Sequence, residues 1–80
     1  MVSYKGLTLT QKWDFKDRMN RLNNRRRYAE RMMKECINND EVWRVWFEKY
    51  GAVLTEKQEL ENKMFLQVIE NITNHETNIL

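Results

Sequence analysis

Apolar residues in the first half of the chain recur at spacings of three and four. Phe15, Met19, Leu22, Ala29, Met33 and Cys36 fall on one stripe of a helix, which predicts a helix over about 10–37. A second run, Val42, Trp43, Trp46, Phe47 and Tyr50, crowds one face of a helix over about 41–50. In a third, over about 56–73, Leu60, Met64, Phe65, Val68, Ile69 and Ile72 cover roughly half the circumference. An arc that wide can touch two neighbouring helices, or one helix and a second subunit.

Punctuation along the chain agrees with these three segments. Thr8 with Gln11, or Thr10 just inside it, offers a first N-cap. Asn39–Asp40 precedes Glu41, so Asp40 can accept from the free N–H groups of a new turn. Thr55 and Gln58 have capping-box spacing, and Gly51 stands just past Tyr50, where a left-handed residue would close a helix. There is no proline, and Gly6 and Gly51 are the only glycines. The expected fold is all-α: a small compact bundle of three helices forming one domain over 1–80, irregular at 1–9, with a short C-terminal tail.

Arg26 breaks the first stripe, because helical periodicity points it between Leu22 and Ala29. An arginine is seldom buried without a partner. Three readings follow: an interruption near Asn23–Asn24 that makes four helices, an Arg26 turned to an interface, or an ion pair with a carboxylate of the C-terminal half.

Charge changes the picture more than composition does. The net charge of +2 conceals a division: residues 1–34 hold ten basic and three acidic side chains (+7), and residues 35–80 hold four basic and nine acidic (−5). Arg18, Arg21 and Arg25 line one flank of the first helix, and Lys16, Arg27, Arg31 and Lys34 the other. Asn20, Asn23, Asn24 and Tyr28 are interleaved with them. Arginine forks fit phosphate and carboxylate geometry, asparagine reads base edges and tyrosine offers a stacking face. The candidate contact residues are therefore Arg18, Arg21, Asn24, Arg25, Arg26, Arg27, Tyr28, Arg31 and Lys34. They suit RNA or DNA, or an acidic protein surface; the bland alternative is a solvated helix face balanced by the acidic half.

Other chemistry finds little support. A helix-turn-helix around Gly51 would put Glu56, Glu59 and Glu61 at the start of its recognition helix, against the phosphates. The lone Cys36 sits on the apolar stripe as a small core residue, and exclusion of a disulfide within the chain follows from its being alone. The lone His75 has no nucleophile within local reach and is expected in solvent. The acids lack metal-loop spacing, no glycine-rich phosphate loop exists, and Asn71-Ile72-Thr73 matches a sequon although no secretory route is expected for the chain. Trp43, Trp46 and Phe47 are expected to form the core; the alternative leaves one or two of the aromatic rings exposed as interface anchors. No enzyme, cofactor or metal site is expected.

A single helical unit with polarised charge and many Arg, Trp and Met resembles, in overall style, small phage and mobile-element regulators, including inhibitors of host enzymes and anti-CRISPR proteins. The likeness covers no defined motif and transfers no residues. It implies a cytoplasmic, non-enzymatic inhibitor or adaptor that docks its basic helix on a larger host protein or nucleoprotein. The other expectations are a direct RNA- or DNA-binding regulator using the same helix, and a homodimer whose basic first helix pairs with the acidic half of a neighbour. No apolar run approaches the ~20 residues of a membrane span, so no membrane partner is expected.

Overall fold

The computed structural model describes the backbone of residues 6–79 and the side chains as far as Asn74. Thr8 opens α1, Leu9–Glu35, through a reciprocal capping box. The Gln11 N–H donates to Thr8 Oγ1 at 3.2 Å, and the Thr8 N–H donates to Gln11 Oε1 at 3.0 Å. Thr10 lies inside the helix. At the other end the Cys36 N–H donates to the Met32 carbonyl, and the Asn39 N–H to the Cys36 carbonyl, both at 2.9 Å. The chain reverses within these four residues.

α2, Asp40–Ile79, starts on Asn39, whose Oδ1 accepts from the Val42 N–H at 3.3 Å. Asn39 is thus the cap expected of Asp40. Asp40 and Glu41 instead occupy the first turn, where carboxylates complement the helix dipole.

The second and third expected helices are one. α2 runs for 40 residues through Gly51–Thr55 without interruption. The three-helix bundle is therefore a two-helix hairpin, about 63 Å long and 16 Å wide. The physical reason is arithmetic. One glycine inside a helix costs about 1 kcal/mol, whereas ending the helix would leave four carbonyls and four N–H groups to satisfy. The stretch 50–55 has no proline or second glycine to build that turn, and Val53, within it, is only 2% exposed. Thr55 is no cap: its hydroxyl donates to the Gly51 carbonyl at 3.2 Å, one helical turn back. Nothing lies within 4 Å of a Cβ placed on Gly51. Gly51→Ala should accordingly raise stability by about 1 kcal/mol, read as a shift of the urea midpoint at fixed protein concentration. An unchanged or lowered midpoint would show that Gly51 serves a bend.

α1 is likewise unbroken at Asn23–Asn24, so the four-helix reading fails too. Its apolar stripe packs along α2. Phe15, Met19, Leu60 and Met64 form a buried cluster, with Leu7 and Leu22 packed against it. Ala29 and Val53 are buried nearer the turn. The expected aromatic core does not form: Trp43 and Trp46 are half-buried and Phe47 is exposed, stacked on Trp43 with centroids 5.0 Å apart. Two helices offer one seam, and large rings beside the turn cannot be enclosed from all sides by two helices alone. Cys36 lies half-buried in the turn.

A polar clip fastens the N-terminal end of the hairpin. Asn71 Nδ2 donates to the Gly6 carbonyl at 2.9 Å and to Gln11 Oε1 at 2.7 Å, and Gln67 Nε2 donates to Asn71 Oδ1 at 3.0 Å. Gly6 passes close over α2 with φ of 93°, and a Cβ there would sit 2.8 Å from Val68 Cγ1. The sequon asparagine is thereby a structural residue. α2 continues helically to Ile79 in place of the expected tail; His75, Ile79 and Leu80 lie outside the residues whose side chains are described.

Candidate partner-binding surface

The candidate contact residues stand on three different sides of α1. One group faces the groove between the helices and is largely neutralised there. Arg18 pairs with Asp14 at 3.2 Å and Arg21 with Asp17 at 3.0 Å, both one turn apart. Arg25 reaches across to Glu56 of α2 at 2.6 Å, the one ion pair between the helices among the described residues. Asn24, Arg25 and Tyr28 border the same groove opposite Trp46, Lys49 and Val53. Tyr28 meets Trp46 edge to face at 5.3 Å, the Arg31 guanidinium lies 5.0 Å from the Tyr28 ring centre, and Lys49 Nζ lies 4.6 Å from that of Trp46.

Arg26 belongs to the seam. Its side chain is 28% exposed and pairs with Glu30 of its own helix at 2.7 Å, while its Nε is buried without a partner. The expected ion pair with a carboxylate of the C-terminal half is made by its neighbour Arg25 instead. Helical periodicity explains the exchange: Arg26 points along the seam, and Arg25 flanks it beside Glu56.

The third group stands on the other flank of α1, where Lys34 borders a second groove together with Trp43 and Tyr50 of α2. Lys16, Arg27 and Lys34 are exposed, and at spacings of eleven and seven they share one side of α1. None of the three has an ion pair among the described residues. Arg31, one turn beyond Arg27, is only loosely tied to Glu35 at 3.9 Å. Lys16 Nζ stands 6.0 Å from the ring centre of Trp13, which is 64% exposed. An exposed tryptophan is among the residues enriched at binding hot spots, and Lys16 stands beside this one.

Among the described residues no cluster of His, Cys, Asp or Glu could hold a metal ion, and the grooves are open and lined by charged and apolar groups. No helix among them is long and apolar enough to cross a membrane. Compared with protein-family models, curated proteins and solved structures, the chain matches none.

Two features have no signature in the sequence. The Arg25–Glu56 bridge depends on helix register, and the Asn71 clip on how far α2 outreaches α1; neither leaves a periodic or motif signal. The separation of free from neutralised bases is half visible there, since Asp14/Arg18 and Asp17/Arg21 stand at the i,i+4 spacing of helical ion pairs.

Proposed function

We propose that this chain is a non-enzymatic binding protein, an adaptor or stoichiometric inhibitor that docks the outer side of α1 on an acidic surface of a larger protein or nucleoprotein. The observation that carries the reading is the row Lys16, Arg27 and Lys34. It has no carboxylate partner among the described residues of the hairpin, whereas Arg18, Arg21 and Arg25 of α1 are each paired with an acid. Such a row steers an acidic partner and fixes orientation, and Trp13 supplies apolar contact area beside it. Small regulators of phage and mobile elements have this economy of size, which is the class the reading favours.

The test is capture of partners from lysate by the tagged protein, with and without nuclease, in parallel with the triple reversal Lys16→Glu, Arg27→Glu and Lys34→Glu. A discrete protein should survive nuclease, and the reversal should weaken its binding on the order of 100-fold or more. Arg18→Gln with Arg21→Gln, on the groove side, should leave binding within a few fold. Equal loss from both sets would sink the assignment to the outer side.

Direct RNA or DNA binding is the second reading, favoured by the half-exposed Tyr28 ring beside Arg31 and Asn24. It requires partners to vanish with nuclease. It also requires log K to fall with log salt by about 0.7–0.9 for each phosphate neutralised.

A further inference from the structure

α2 carries more apolar surface than α1 can cover. Beside the seam runs a second stripe, spaced by threes and fours, on which Phe47, Leu54, Phe65 and Ile72 are all exposed, Phe65 to 67%. A contiguous row of exposed large apolar groups along one helix face is the composition of a helix–helix interface.

The stripe also has an internal symmetry. Reversed about residue 59, it maps onto itself to within one residue: Lys57 falls on Glu61, Leu54 on Phe65 and Phe47 on Ile72. Large apolar groups meet large apolar groups, and at the centre a base meets an acid. Lys57 and Glu61 are half-buried beside the stripe, and neither has an ion pair among the described residues, although they stand one turn apart. A partly desolvated, unmatched pair of opposite charges at the midpoint of an apolar stripe is complementary to its own image under a two-fold axis.

We infer that a second copy of this chain packs antiparallel along this stripe of α2, about a two-fold axis near residue 59, with Lys57 of each copy paired to Glu61 of the other. The contact runs from Phe47 to Ile72, about 38 Å at 1.5 Å per residue. Two hairpins so joined make a four-helix assembly. It leaves Trp13 and the outer bases of α1 to their own partner, so this inference does not rest on the proposed function.

Sedimentation velocity of the purified full chain at tens of micromolar decides it. The mass should be twice 9.9 kDa. Lys57→Glu places acid against acid at the centre and should weaken the dimer at least tenfold, and adding Glu61→Lys should restore it. Leu54→Glu and Phe65→Lys should each give monomers alone and a dimer when mixed, because the mixed pair opposes the two new charges at one contact and keeps Leu54 against Phe65 at the other. Circular dichroism of each variant checks that the helices remain. A single-chain mass for the unaltered protein would overturn the inference. So would a dimer indifferent to Lys57→Glu, or failure of both the exchange and the mixture to rescue association.

Discussion

Met64→Ala is expected to cost the hairpin about 2–4 kcal/mol, most of the stability that so small a core supplies. Met64 is the most deeply buried large side chain, 1% exposed, and it sits with Leu60 against Phe15 and Met19. Truncation loses the transfer energy of the side chain and opens a cavity. Two helices meeting along one seam have no third layer to close it. Urea unfolding followed by helical circular dichroism, at one protein concentration, should show a sharply lowered midpoint. Leu66→Ala is the control: Leu66 is on the same helix but 63% exposed, so its change should stay within about 0.5 kcal/mol. If both substitutions moved the midpoint equally, the burial of Met64 would not be what holds the helices together.

Arg26→Met should act in the opposite direction and stabilise the fold by about 1–2 kcal/mol. Arg26 stands between Leu22 and Ala29 on the seam and separates the Phe15–Met19–Leu60–Met64 cluster from the buried Ala29 and Val53. Its guanidinium is partly desolvated with Nε unmatched. The pair with Glu30 stays within one helix, so it does nothing to join α1 to α2. Replacing such a charge with an apolar side chain of similar length removes the desolvation penalty and makes the two core segments continuous. The gain is kept below the full range for buried pairs because both partners are partly solvated. A lowered unfolding midpoint would refute this account and give the Arg26–Glu30 pair a structural role. Partner capture by the same variant separates fold from function: if Arg26 is a contact residue, binding falls while stability rises.

Much of this architecture is legible in the amino-acid sequence. The period of Phe15, Met19, Leu22 and Ala29 establishes a helix, and Thr8-x-x-Gln11 marks its start to within a residue. The turn after residue 35 follows from Asn39 and the acids behind it. These are local signals: capping bonds close within three residues, and periodicity is a property of one helix. The division of charge between 1–34 and 35–80 is equally plain, since it is a count.

The expectations that fail do so for one reason. Gly51, Thr55 and Gln58 carry real local preferences for a helix end. Each is worth about 1 kcal/mol, and burial of Val53, Leu60 and Met64 along one continuous seam outweighs them. Whether a weak breaker breaks depends on what its neighbours pack against. The same holds for the bases of α1. Their number and spacing are determined by the sequence, but α2 decides that Arg25 is neutralised by placing Glu56 beside it, while Lys16, Arg27 and Lys34 have no ion pair among the described residues. The sequence by itself determined the helical segments, the Thr8–Gln11 cap and the sum of charge, because those arise within a turn or two of chain. Only the tertiary structure decided the number of helices, the location of the core and the sites of free charge, because each depends on residues thirty or more apart meeting in space.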